Sequence, residues 1–217
     1  MHADDLDRWF ANIHEVLETA YLAADQPWSQ SGMSGPYERW ETLRRPVADC
    51  IERPGAFLDI GCANGYLLEC CMAWTAERGI MIDPYGVDLS PRLIALARQR
   101  LPNFSQQLFV ANAFTWIPPR RFDAVRTELV YVPGEYERRY VEHLVNNYLA
   151  PGGRLLIALY GEGNEDPSRG LLPGSHPARH LLDRLHDLGI RPIGHRDGVD
   201  PVKGRVTRVA IVTAASL

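Results

Sequence analysis

The sequence predicts an α/β protein: a doubly wound, mostly parallel seven-stranded sheet that ends in an antiparallel hairpin, beneath an N-terminal helical lid. Three observations predict it. Short apolar runs alternate with segments of helical periodicity from about residue 53 onward. A glycine-containing turn, Gly61-Cys-Ala-Asn-Gly65, joins the first run to a helix, and the last two runs flank a hairpin connection. With 217 residues, 46% of them hydrophobic and 9% aromatic, the chain can fill one full core. That disfavours disorder and a small disulfide-stapled scaffold.

The elements follow in order. Leu6, Trp9, Phe10, Ile13, Leu17 and Ala20 recur at helical spacing between Asp5 and Ala24, so an amphipathic helix is expected there. The stretch Asp25–Pro36, with two prolines and two glycines, reads as a loop. A second helix is expected over Tyr37–Ile51, broken or kinked at Pro46. Residues 1–52 would form the lid and residues 53–217 the sheet domain. Ala56–Ile60 is the first strand and Tyr66–Glu77 the helix after it. Tyr85–Asp88 is the second strand, and Ser90-Pro91 caps and opens a helix to Leu101. Leu108–Ala111 and Phe122–Thr127 are strands. Glu137–Leu149 is a helix with Tyr140, Val141, Leu144, Val145 and Tyr148 on one face, ended by Pro151-Gly152-Gly153. Arg154–Tyr160 is almost wholly apolar, as suits the buried middle of a parallel sheet. A polar connection over Gly161–Gly174 leads to a helix over Pro177–Leu188. Strands over Arg191–His195 and Val206–Thr213 then flank the turn Asp200–Gly204.

Composition excludes several function classes. There are 23 Lys and Arg against 27 Asp and Glu, a net charge of −4, so no basic stripe for nucleic acid is evident. The run Leu155–Tyr160 is far short of the roughly 20 apolar residues of a membrane span. Cys50, Cys62, Cys70 and Cys71 form no CxxC pair, so neither a metal site nor a redox motif is expected. Free thiols and an acidic start, MHADDLDRWF, point to a soluble cytoplasmic protein.

The chemistry concentrates at the first βα turn. Glycines there let the backbone approach a ligand closely, and the following helix N-terminus presents free N–H groups. A turn that needs small residues only for packing would look the same. The carboxylate ending the next strand, Asp88, tips the balance, because an acid there can accept ribose hydroxyls. Dinucleotide binding fits poorly. The turn reads G-x-A-x-G and Asp88 lies 27 residues beyond Gly61, where the fingerprint has its acid about 20 residues on. Asp59 just before the turn would also repel a pyrophosphate.

Phe57–Glu69 (FLDIGCANGYLLE), Tyr85–Ser90 (YGVDLS), Ala111–Phe114 (ANAF), Phe122–Val125 (FDAV) and Leu149–Ile157 (LAPGGRLLI) together resemble the ordered motifs of class I S-adenosylmethionine-dependent methyltransferases, a Rossmann-like family. The resemblance spans about Phe57 to Thr213. It implies S-adenosylmethionine as cofactor, S-adenosylhomocysteine as product and no metal. It also implies that Asp59 and the backbone of Gly61, Cys62, Ala63, Asn64 and Gly65 hold the methionine part, and that Asp88 takes the ribose. Leu89 would lie against the adenine, and Asn112, Ala113 and Phe114 would form its far end. Arg126, Thr127 and Glu128 would stand near the transferred methyl. The sequence departs from the pattern twice: Ala63 replaces a glycine, and the Asp59–Asp88 interval is long, with the excess expected in Ala76–Pro84.

Candidates for a general base are Glu128 and Tyr131, just past the fourth strand, and His176, ahead of a helix that starts at the same edge. Loop or core packing explains Glu128 and Tyr131 as readily, and exposure at a helix start just before Pro177 is the favoured reading of His176. His143 and His180 lie opposite the apolar faces of their helices and are expected in solvent. Glu128 and Glu137, nine apart, echo the paired acids that hold a guanidinium in arginine methyltransferases, but their surroundings do not match. Trp28, Tyr37 and Trp40 would either line an acceptor pocket under the lid or cement the lid to the core. Arg39, Arg44 and Arg45 offer a cation for the cofactor carboxylate, or a solvated helix face. The expected reaction is methyl transfer to an O or N atom of a small-molecule acceptor. An RNA or protein acceptor is the alternative, as is a cofactor-binding partner without catalysis. The chain lacks the Asn/Asp-Pro-Pro-aromatic tetrad and the Pro-Cys pair of enzymes that methylate bases.

Overall fold

Alternation along the central strands decides the architecture. The structure, a computed structural model, describes residues 3–32, 35–162 and 180–217. In β1 (Gly55–Ile60), Ala56, Leu58 and Ile60 enter one apolar cluster and Phe57 the opposite one. β5 (Leu149–Glu162) and β7 (Val206–Val212) alternate in the same way, Leu155 and Ile157 against Leu156 and Ala158, and Ala210 and Val212 against Val209 and Ile211. A sheet apolar on both faces must be covered on both. Phe10 of α1 (Ala3–Leu22), α5 (Glu137–Tyr148) and α6 (Leu181–Asp187) cover one side. α2 (Tyr37–Asp49), α3 (Tyr66–Ala76) and α4 (Pro91–Arg100) cover the other.

The strand order is β3-β2-β1-β4-β5-β7-β6, with β2 at Ile82–Asp88, β3 at Leu108–Val110, β4 at Phe122–Thr127 and β6 at Gly194–Val199. β3 through β5 are parallel, and β7 and β6 run antiparallel beside them. The expected doubly wound sheet with a closing hairpin is therefore the observed one. The order reverses between β1 and β4, so their C-terminal ends open the crevice in which such sheets bind ligands.

Four boundaries differ from expectation. α2 runs unbroken through Pro46. Proline there leaves the Thr42 carbonyl without its helical donor, and Gly198 of β6 packs against that carbonyl and the Pro46 ring. β2 begins at Ile82, so the long interval before Asp88 is strand and turn rather than extra helix. Pro84 is tolerated because β3 pairs with β2 only from Gly86, leaving β2 one neighbour at that point. β5 reaches back to Leu149, which pairs with Phe122 across an irregular register. β6 lies three residues later than the apolar run suggested. It is an edge strand, and Ile193 just ahead of it is 59% exposed. Of the helix expected over Pro177–Leu188, residues 177–179 lie outside the described residues. α2 belongs to the layer that covers the sheet, with Trp40 and Val47 fully buried, while α1 is the element lying over the crevice. Among the described residues no helix is long and apolar enough to cross a membrane.

Gly198→Ala should cost about 1–3 kcal/mol, because the new methyl would press on the backbone carbonyl of Thr42, which cannot rotate away. Chemical denaturation measures the loss.

Candidate functional site

The turn after β1 is held from three sides. The N–H groups of Gly61 and Cys62 donate to the Val87 carbonyl at 2.8 and 3.2 Å, tying the turn to the end of β2. Gly61 has φ +72°, and a Cβ on it would stand 2.5 Å from the Tyr131 hydroxyl, so only glycine fits. Ala63 adopts φ +47°, unusual for a residue with a side chain. Its N–H donates to Asp88 Oδ2 at 2.9 Å, while Oδ1 accepts the Ser90 N–H at 2.9 Å. Asp88 thus fixes the turn and the start of α4, and Ser90 caps that helix by accepting the Leu93 N–H at 3.0 Å.

Two cavities adjoin across Tyr21, Gly61 and Tyr131. The first, about 90 Å³, is mostly apolar. Leu89, Ala113, Phe114, Phe10 and Tyr140 line it, with Asp88 and Asn112 at its polar rim. Asn112 Oδ1 accepts the Phe114 N–H at 2.9 Å, and the Tyr148 hydroxyl donates to the Ala113 carbonyl at 2.8 Å, so this loop is anchored from inside. Glu18 of α1 accepts the Ser90 hydroxyl and pairs with Arg92 at 3.3 Å, bringing α1 over the cavity beside Asp88.

The second cavity, about 200 Å³, is polar. Its centre is Arg126, at the end of β4 and 3% exposed. Nη1 donates to Asp59 Oδ1 at 3.2 Å, the Ile60 carbonyl at 3.1 Å and the Tyr131 hydroxyl at 2.9 Å. Nη2 donates to Glu128 and, at 3.1 Å, to the Tyr160 hydroxyl. Tyr131 also donates to Glu128 Oε1, at 2.8 Å. Burial pushes the Asp59 carboxyl up to about 6, and Arg126 pulls against that rise. Burial likewise raises the Tyr131 phenol, so it stays protonated at neutral pH. Two buried polar atoms here have no hydrogen-bond partner, Asp59 Oδ2 and Arg126 Nε. Arg44, from α2, stacks its guanidinium on the Tyr160 ring 3.5 Å from the centroid and faces the same cavity.

The structure brings together most of the residues singled out by sequence. Asp59, Gly61, Cys62 and Ala63 line the polar cavity, and Asp88, Leu89, Asn112, Ala113 and Phe114 the apolar one. Glu128 and Tyr131 stand at the polar cavity, Tyr131 at both. Others have different places. The fully buried Asn64 turns its amide away, donating at 3.0 Å to the Pro27 carbonyl and to Gln30 Oε1 in the loop before α2. Gly65, at φ +74°, makes room for Ala97 of α4. Thr127 is buried and bonded to the Tyr140 hydroxyl at 2.7 Å, behind the cavity wall. Trp28, Tyr37 and Trp40 line neither cavity. They pack on one another and on Tyr66, and Trp40 also meets Trp74, so they cement the loop and α2 to α3. His176 lies outside the described residues. His143 is half-buried between Phe114 and Tyr148 rather than in solvent, because those rings flank its side of α5. His180 is exposed, as expected. Glu137 pairs with Arg184, away from Glu128. Among the described residues no three His, Cys, Asp or Glu side chains gather as a metal set.

Sequence reasoning passed over Tyr21, Tyr160 and Glu18, left Arg44 among three arginines, and gave Arg126 no role beyond its place. Arg126 carried a signal: it is a charged residue inside an apolar strand, and the register sets it opposite Asp59. Of the three arginines on α2, Arg39 bonds Asp200 and Arg45 pairs with Glu41 and Glu77, so only Arg44 reaches the cavity.

Comparison with known proteins agrees with this geometry. A family model described as a methyltransferase domain matches residues 35–191. A trans-aconitate 2-methyltransferase of Methylobacterium nodulans is 32% identical over 134 residues, 59% of this chain and 48% of that protein. The chain therefore spans about half the length of this curated relative. Among solved structures, a 1,6-didemethyltoxoflavin-N1-methyltransferase of Burkholderia thailandensis aligns with a TM-score of 0.66 at 18% identity, covering 98% of this chain and 90% of that one. An S-adenosylmethionine-dependent methyltransferase of Leishmania major aligns with a TM-score of 0.67 at 13% identity, covering 94% and 83%. At those identities the likeness is one of fold.

Arg126→Met should destabilise the protein by about 3–5 kcal/mol, since it leaves Asp59 buried beside Glu128 with no cation between them. Urea denaturation of the variant against wild type measures it, and Asp59→Asn in the Met background should recover part of the loss.

Proposed function

The chain belongs to the methyltransferase-domain family, and we propose that it moves the methyl group of S-adenosylmethionine onto an oxygen or nitrogen atom of a small molecule. The observation that carries this reading is the junction of the two cavities at the β1 turn, one apolar with a carboxylate at its rim and one polar and charged. Adenosine and an amino acid need those two environments, side by side. The residues present fit. Asp88 is held at the rim by the N–H groups of Ala63 and Ser90, and a carboxylate at the end of β2 can accept ribose hydroxyls. Leu89, Ala113 and Phe114 offer apolar surface to an adenine, and Asn112 keeps its amide N–H groups for the ring edge. Asp59 Oδ2, buried without a partner, is what an α-ammonium would satisfy.

When bound, the cofactor supplies a methyl carbon on a positive sulfonium, open to in-line attack while the carbon–sulfur electron pair leaves to sulfur. The chain's own residues position and exclude. Arg126 and Tyr131 clamp Glu128 Oε1, so the carboxylate is held rigid at the end of β4 with its other oxygen available to an acceptor's proton. Tyr131, neutral and donating, keeps that carboxylate oriented. α1 and the turn at Ser31-Gly32 border the cavities, where they would limit the water that reaches the reacting atoms. The small-molecule acceptor is supported by the matched relative, whose name specifies trans-aconitate.

Calorimetry with S-adenosylhomocysteine tests the cofactor site. Asp88→Ala should weaken binding about tenfold or more, the loss expected when a charged hydrogen-bond acceptor is removed; unchanged affinity would place the nucleoside elsewhere. The Asp59 role predicts a pH dependence. An ammonium is held by the ionised carboxylate, so affinity should rise with pH and level off above about 6. Asp59→Asn should bind more weakly and lose that dependence.

A further inference from the structure

One of the two cations in the polar cavity has no direct ionic partner. Asp59 and Glu128 both pair with Arg126 rather than with Arg44. Arg44 is 94% buried, since only 6% of it is exposed, and it has neither an ion pair nor a hydrogen-bonded partner among the described residues. A guanidinium withdrawn from water carries a desolvation cost that a matching anion offsets, and its planar fork suits a carboxylate above other anions of that size. Its place is fixed: its guanidinium carbon sits over the ring of Tyr160, whose hydroxyl is in turn held by Arg126.

The sheet order says which ligand that anion belongs to. Asp88 ends β2 and Asp59 lies in β1, so the cofactor groups they would hold lie over β2 and β1. Tyr160 is on β5, separated from β1 by β4, and Arg44 is on it. Arg44 therefore stands over β5, across Arg126 and Glu128 from the two strands that would hold the cofactor, while facing the same cavity. We infer that the acceptor is an organic acid, and that Arg44 binds one of its carboxylates and sets its orientation toward the methyl group. The inference rests on the reading of the cleft as a cofactor site. A positive sulfonium bound in the same crevice would also disfavour a cationic acceptor.

The test is calorimetry on the intact chain saturated with S-adenosylhomocysteine and titrated with succinate, citrate, trans-aconitate and the neutral trimethyl ester of trans-aconitate. At least one acid should bind and the ester should not. Arg44→Gln should weaken acid binding about tenfold or more. Arg44→Lys should keep more of it, and both variants should hold S-adenosylhomocysteine within about twofold of wild type, with thermal unfolding confirming that they fold. If Arg44→Gln instead loses S-adenosylhomocysteine, the guanidinium serves the cofactor's own carboxylate and the inference falls. It falls equally if no acid binds the loaded wild-type protein, or if the acids bind Arg44→Gln unchanged. Failure of the wild type to bind S-adenosylhomocysteine at all would overturn both the inference and the reading beneath it.

Discussion

One guanidinium ties the working end of the sheet together. Arg126 reaches the side chain of Asp59 and the carbonyl of Ile60 in β1, Tyr131 and Glu128 just past its own strand, and Tyr160 in β5. A single side chain thus spans three neighbouring strand ends. Arginine alone can do this, since it offers five N–H donors in a rigid plane. With two carboxylates against one guanidinium, the cluster without ligand carries a net negative charge once Asp59 ionises. Burial resists that ionisation, which is why Asp59 titrates so high. The same cluster fixes Tyr131 over Gly61 and so shapes the wall shared by both cavities.

Away from the crevice, other buried charges sit at seams between elements. Arg39 bonds Asp200, joining α2 to the β6–β7 turn. Glu137 and Arg184 join α5 to α6. Glu162 accepts the Leu181 N–H at 2.6 Å and pairs with Arg208 at 2.9 Å, so the end of β5, the start of α6 and β7 meet on one carboxylate. Hydrophobic burial is indifferent to small slides of one element on another, whereas these pairs lose most of their value when displaced. They give register to surfaces that apolar contact alone would leave loose.

The parts of the site that could be read along the chain are those whose chemistry is local. The β1 turn, the Ser90 cap with Pro91, and Asp88 beyond its strand depend on φ angles and on partners a few residues away. Arg126 against Asp59 depends instead on strand register across 67 positions, and Arg44 on Tyr160 on how a helix docks against a strand far along the chain. No local pattern encodes either. The aromatics of the N-terminal stretch show the converse limit. Trp28, Tyr37 and Trp40 have the composition of a pocket wall and the position of a packing seam, and only neighbours such as Tyr66 and Trp74 distinguish the two. Edge strand β6 departs from its expected position for a related reason: its outer face meets no core, so burial leaves no alternation to read.

Asn64 joins two distant parts of the molecule through one amide. Its backbone belongs to the β1 turn, yet its Nδ2 donates to Pro27 and Gln30 in the loop before α2, while its Oδ1 accepts the Tyr66 N–H at the start of α3. That loop cannot part from the β1 turn without breaking those bonds. A change in the loop is therefore felt at the wall of the polar cavity through a single side chain.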